Sequence, residues 1–203
     1  MLAQAQKAGG ATLRLFCCLL FLLFALPGTA TSASTAHEAL LGQLRQGGYV
    51  LMIRHAVAPG TFDPPGFRVE DCATQRNLSA VGRDEARRLG ASFVRLKIPV
   101  SRVLSSEWCR CRDTAQLAFG AYETTTVLNS LRADSAAAPQ QIEGMQRLGV
   151  AVRPGANLVL VTHNFNIQPF SGVMVPTSGV VVLRPGPKGG FEFVGTLEGL
   201  GSS

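Results

Sequence analysis

Three short apolar runs, each breaking off into a polar cluster, constrain the fold of this chain more than any other feature. Residues 49–53 lead into Arg54-His55, residues 100–104 into Ser105-Ser106, and residues 158–161 into Thr162-His163-Asn164. Residues 49–53 and 158–161, rich in Val, Leu and Ile, read as buried strands, the latter apolar enough to be covered on both faces as in parallel sheets, and residues 100–104, with Ser101 and Arg102 inside the run, read as a further strand. From Ser79, an N-cap residue, Ala86, Leu89, Phe93 and Leu96 recur at helical spacing until Pro99 stops the pattern. Further helices are expected over 107–119 and from Pro139, which carries Ile142, Met145 and Leu148 behind it, with a third strand over 124–128. Residues 180–183 and 191–194 flank a Pro/Gly turn and predict a closing hairpin. Strands alternating with helices give an α/β class: a three-layer sandwich with a mostly parallel central sheet and helices on both faces. At 203 residues the chain holds one such domain.

The N-terminus has a different character. Lys7 and Arg14 precede an apolar run over 15–26, which Pro27-Gly28 breaks before small residues follow. This is the pattern of an export signal, and the run is shorter than the roughly 20 apolar residues that span a bilayer. The expected organisation is a signal peptide over 1–33, a mature domain over 34–203, and an exported, periplasmic location without stable membrane insertion after cleavage. Removing Lys7 and Arg14 leaves 17 basic against 13 acidic residues. No basic run interleaved with aromatics stands among them, which argues against nucleic acid as a partner. Cys72, Cys109 and Cys111 remain in the mature part. In an oxidising compartment three cysteines suggest one disulfide and one spare thiol, with Cys72 joined to either Cys109 or Cys111.

In open α/β sheets ligands bind beyond the carboxyl ends of the strands, so the three polar clusters are expected at one edge. There the planar forks of Arg54 and Arg110 would hold and neutralise a phosphoryl group. A neutral imidazole attacks phosphorus at neutral pH without help, so transfer to a histidine needs no metal and no cofactor.

These residues carry a resemblance. The segment Leu51-Met52-Ile53-Arg54-His55-Ala56 is similar to the strand-then-Arg-His signature of the histidine phosphatase (phosphoglycerate mutase-like) superfamily. Leu78-Ser79-Ala80-Val81-Gly82 resembles its helix start, and Ser105-Ser106 through Arg110 to Thr114-Ala115 its second signature, with Thr162-His163 matching the second histidine. The resemblance covers about residues 48–183. It implies that His55 is the nucleophile and that Arg54, Arg110 and His163 complete the phosphate pocket, with Asn164 as a further substrate contact. Family branches with large insertions carry His-Asp where this chain has His163-Asn164. Asp134 lies about where other members place an acidic proton donor, although a helix cap or a loop position is the plainer role for it. Residues 71–79, Cys109-Arg110-Cys111 and residues 163–166 resemble a compact bacterial exported subgroup, in which a disulfide from Cys72 would pin the long loop beside Arg110. Arg83 and Arg112 read as solvated helix residues.

The implied activity is hydrolysis of a small phosphate monoester through a phosphohistidine, as in phosphatases of the histidine acid type. Sugar or lipopolysaccharide-core phosphates and phosphohistidine are all compatible substrates. Rival chemistries fare worse. A cysteine phosphatase needs Arg six positions after its Cys, and Leu78, Ala115 and Leu117 stand there instead. A two-metal phosphatase needs clustered Asp and His, but His37, His55 and His163 are the only histidines. Export argues against a glycolytic mutase. The remaining alternatives are a non-catalytic binder of phosphorylated or anionic ligands and a phosphatase acting on phosphohistidine in proteins.

Overall fold

The computed structural model describes residues 30–132, 136–186 and 189–202. The expected export signal lies outside these residues, apart from its last four.

The apolar runs form the centre of a six-stranded sheet. Strand β1 (Val50–Arg54) pairs in parallel with β4 (Asn157–Thr162), and Arg54 lies opposite Thr162. On the far side of β4, β2 (Val100–Ser105) pairs in parallel, followed by the short parallel edge strand β3 (Glu123–Thr124). Strands β5 (Val180–Pro185) and β6 (Phe191–Leu197) form the expected hairpin, in which β5 pairs antiparallel with β1 on one side and with β6 on the other. The order is β3-β2-β4-β1-β5-β6.

Alternating side chains of the same strands feed two cores. Leu51, Ile53, Val159 and Val161 pack with residues from α1 (Ala30–Gln46), α2 (Ala80–Arg95) and α3 (Cys109–Phe119). Val50, Met52, Leu158 and Leu160 pack on the other face with Met145 of α4 (Ala138–Leu148) and Ile167 of α5 (Asn164–Ser171). Full burial of each such side chain is worth roughly 1.5–3 kcal/mol, so the central strands are the most firmly held part of the molecule. Among the described residues no helix is long and apolar enough to cross a membrane.

Ser79 caps α2 as expected, its hydroxyl accepting from the Gly82 amide at 3.0 Å. Gly82 itself is required by contact, because a Cβ there would lie 2.0 Å from the Val57 carbonyl oxygen. The start of α2 therefore presses directly on the chain just beyond His55.

Three expectations need correction. The strand expected over 124–128 ends at Thr124, and a 3-10 turn, Thr126–Leu128, follows. Its Leu128 carbonyl accepts from the Thr162 hydroxyl at 2.8 Å, which draws the chain inward over the sheet end and out of strand geometry. Helix α5 was not expected; Pro169 and its polar content hide it, yet its amides are anchored by the His163 carbonyl. The sequence over 38–46, ended by Gly47-Gly48, reads as a short amphipathic stretch, and the structure extends this helix, α1, back to Ala30.

Candidate active site

The strands that end in polar clusters, β2, β4 and β1, are neighbours in the sheet, so their carboxyl ends lie side by side. Backbone bonds lock the junction: the His55 amide donates to Thr162 at 3.0 Å and the Ser106 amide to Val161 at 3.0 Å. A cleft of about 490 Å³ opens there, lined by Arg54, His55, Asp63, Arg76, Arg110 and His163 among others. The sheet topology thus brings together the four residues on which the sequence reading rests.

His55 is 4% exposed, and its Nδ1 lies 2.8 Å from the Ala56 carbonyl. A carbonyl can only accept, so Nδ1 carries the proton and Nε2 keeps its lone pair. Burial, reinforced by the positive field of Arg110, pushes the His55 imidazole down to about 3, against which the Ala56 bond acts only partly. His163 stands beside it with ring centroids 5.5 Å apart, and burial, then His55 and Arg110, hold it well below the usual imidazole range. Its Nε2 lies 3.1 Å from the Ser106 hydroxyl. Both rings are neutral at pH 7.

Neutral folding of two histidines has a consequence for stability. Above about pH 6.5 neither the folded nor the unfolded imidazoles bind protons, and this stabilisation is complete. As the pH falls from about 6.5 towards 3, the unfolded chain takes up protons that the folded chain refuses. Unfolding free energy is therefore expected to drop by up to about 1.4 kcal/mol per pH unit for each histidine. Denaturant titrations at stepped pH read this slope, and flat stability between pH 6.5 and 4 would contradict the neutral assignment.

Arg54 extends from the end of β1 and donates to the Val175 carbonyl at 2.9 Å, while burial lowers it from the ordinary arginine value. Arg110 sits in the first turn of α3, buried to 4% exposure. Its position is fixed through Thr114, whose hydroxyl donates to the Arg110 carbonyl at 2.7 Å and accepts from the Ala56 amide at 3.0 Å. The Arg-x-x-x-Thr spacing of the motif is thus the one-turn spacing that ties α3 to the end of β1.

Two residues that sequence reasoning did not single out share this pocket. Asp63, from the long loop after β1, pairs with Arg110 at 2.8 Å and accepts from Trp108 Nε1 at 3.1 Å and the Arg76 amide at 2.9 Å. Burial alone would raise its carboxyl, but these bonds outweigh burial and hold it below the usual carboxylate range. Arg76 donates to Ala58 at 2.6 Å, and burial, then Arg110, lowers it. The Nε atoms of both Arg76 and Arg110 are buried without a hydrogen-bond partner. Unpaired buried donors are costly, and an anion in the cleft would offer them acceptors.

Of the two disulfides the sequence allows, the structure forms Cys72–Cys109. Cys111 is the free thiol, buried, with burial pushing it up to about 12, so it is no nucleophile. The bridge fastens the long loop to the first residue of α3, and Gln75 adds to this by accepting from the Cys109 amide at 3.0 Å. With the cysteines 37 positions apart in the sequence, chain-entropy arguments give a stabilisation of ~4 kcal/mol. Cys72→Ser is expected to lose most of this in urea unfolding, and unchanged stability would mean that Asp63 and Gln75 hold the loop unaided.

No protein-family model matches the sequence, and no curated protein does. Solved structures do match. The protein histidine phosphatase SixA, complexed with tungstate, superposes with TM-score 0.51 and 18% identity, over 73% of this chain and 96% of its own. A phosphoserine phosphatase from Entamoeba histolytica in complex with phosphoserine gives 0.52 and 9%, over 76% and 99%. A mycobacterial glucosyl-3-phosphoglycerate phosphatase gives 0.51 and 15%, over 71% and 96%. This chain has the histidine phosphatase fold.

Within that fold, the structure places the other expected residues as follows. Asn164 is buried and spends its amide on the chain: Nδ2 donates to the Val175 carbonyl at 2.9 Å and Oδ1 accepts from the Val175 amide at 3.1 Å. Its bonds hold the segment that also receives Arg54. Arg83 pairs with Asp113 on the surface, and Arg112 is away from the cleft, as solvated residues should be. Asp134 lies outside the described residues. Among those described, no three His, Cys, Asp or Glu side chains converge to hold a metal ion.

Proposed function

We propose that this protein is a metal-independent phosphoric monoester hydrolase that carries its substrate's phosphoryl group on His55. The observation that supports this best is the His55 tautomer: Nδ1–H donates to the Ala56 carbonyl, which leaves the lone pair on Nε2 of a histidine lining the same cleft as Arg54, Arg76 and Arg110.

In the first step Nε2 attacks phosphorus in line with the ester oxygen. The N–P bond forms, the P–O ester bond breaks, and the ester oxygen leaves with the electron pair as an alkoxide or phenolate, which takes a proton from water. The positive charge that appears on the ring is shared with the Nδ1–H···O bond to Ala56. Arg54 and Arg110 neutralise the equatorial oxygens, the preorganised electrostatics on which phosphoryl transfer depends. In the second step water attacks phosphorus, the N–P bond breaks, and orthophosphate and the neutral imidazole are regenerated. Export to the periplasm, as the N-terminal pattern suggests, would set the enzyme among extracytoplasmic phosphate esters.

The test is phosphate release from a panel of monoesters with chelator present, combined with acid-quench trapping of radiolabelled phosphoenzyme. Metal-independent release with label on histidine is expected. Binding of phosphate esters without release from any of them would replace the hydrolase with a binder of phosphorylated ligands.

A further inference from the structure

The mouth of the His55 cleft differs in chemistry from its floor. Of the large hydrophobic side chains exposed among the described residues, Phe62 (61%), Phe165 (40%) and Met174 (53%) all line this one cleft. Arg132 joins them, its guanidinium 4.5 Å from the Phe62 ring centroid and 5.2 Å from that of Phe165. Phe62 comes from the loop after β1 and Phe165 from the start of α5, so two separate elements hold one planar cation between them. No carboxylate among the described residues pairs with Arg132, whereas Arg110 on the floor has Asp63. Exposed apolar side chains gathered in one place on a soluble surface mark a binding site, and a guanidinium already ordered against rings gives up little freedom on meeting an anion.

The carboxylate on the cleft wall adds a second constraint. Asp63 is tied up as an anion by Arg110, Trp108 and the Arg76 amide, so it has no proton to lend a departing alkoxide. A leaving group stable as an anion, such as a phenolate, needs no such proton.

Resting on the phosphatase reading, we propose that Phe62, Arg132, Phe165 and Met174 form a leaving-group subsite. Its ligand class is the aryl phosphate monoester whose aromatic alcohol carries a second anionic group. The phosphoryl group enters between Arg54 and Arg110, the aromatic body lies on the apolar rim, and the second anion meets Arg132.

The test uses a pair of esters, 4-(carboxymethyl)phenyl phosphate and its methyl ester. In these the methylene insulates the phenol, so leaving-group strength is matched and only the remote charge differs. The wild-type protein is expected to favour the acid in kcat/KM by roughly three- to fivefold, the range open to an exposed ion pair. Arg132→Gln should bring the ratio to about one. Because both esters are measured on the same preparation, a loss of folded protein cancels from the ratio. Phe62→Ala should raise KM for both aryl esters relative to glycerol phosphate by roughly fivefold, the order of a lost aromatic contact. An equal rate on acid and ester in the wild type, or a ratio that Arg132→Gln leaves alone, would overturn the subsite and leave the phosphatase reading standing. If neither these esters nor any other monoester of the panel is hydrolysed, the same ratio is read as dissociation constants by titration calorimetry. A preference for the acid that Arg132→Gln removes would then uphold the subsite while the hydrolase fails, and no preference would sink both.

Discussion

His55→Ala is expected to lower kcat by roughly a thousandfold or more, to the background of the assay, because among the described residues of the cleft no other imidazole or thiol is free to take the phosphoryl group. His163 is the nearest candidate, but its Nε2 is engaged with Ser106 at 3.1 Å, and Cys111 is a buried thiol held protonated. Phosphate binding should survive in part, because Arg54, Arg76 and Arg110 do not depend on the imidazole for their hydrogen bonds. A calorimetric titration with inorganic phosphate, run beside the rate assay, separates the two effects. Retention of a tenth of wild-type kcat by folded His55→Ala would remove the phosphohistidine from the mechanism. Loss of phosphate binding together with turnover would show instead that the imidazole organises the anion site.

The parts of this site that the sequence made legible are those set by local pattern. β1 and β4 are short and apolar because both faces are covered, and their polar ends stand out for the same reason, whereas β2 is exposed at Ser101 and Arg102 and buried only from Val103 to Ser105. Arg110 and Thr114 are one helical turn apart, so their partnership is written in their spacing. Asp63 is different. Its contact with Arg110 joins residues 47 apart through a loop with no periodicity, and nothing in a run of Gly, Pro and Asp says which carboxylate will fold back. Arg76 was hidden likewise, as one arginine among many. The sequence left two pairings open for Cys72, and the choice between Cys109 and Cys111 came only from the helix that turns the Cys111 thiol into the core. The end of β3 was misread because Thr126, Val127 and Leu128 are good strand formers. Tertiary bonds to Thr162 and Asn166 override that preference.

Arg110→Ala and Asp63→Asn are expected to move phosphate affinity in opposite directions. Their side chains are 5% and 11% exposed, so the pair is largely out of water. Deleting Arg110 strands the Asp63 carboxylate with only the Trp108 and Arg76 amide donors, and breaking a buried pair this way costs about 3–5 kcal/mol of stability. The same deletion removes a charge-assisted contact to phosphate worth about 1.5–3 kcal/mol, so phosphate affinity should fall at least tenfold, and kcat/KM further still. Asp63→Asn drops the negative charge beside Arg110 and keeps a single oxygen, so of the Trp108 Nε1–H and the Arg76 amide, which donate to different oxygens of Asp63, only one keeps its acceptor. If Asp63 and the phosphoryl group compete for that guanidinium, the asparagine variant should bind phosphate several-fold more tightly at low salt, with the gain shrinking as ionic strength rises. Its stability should fall by about 1–3 kcal/mol, since an ionic bond gives way to a neutral one. If Asp63→Asn weakens phosphate binding as much as Arg110→Ala does, the competition is wrong: Asp63 would then be the strut that aims Arg110, and the ion pair a permanent part of the phosphate site.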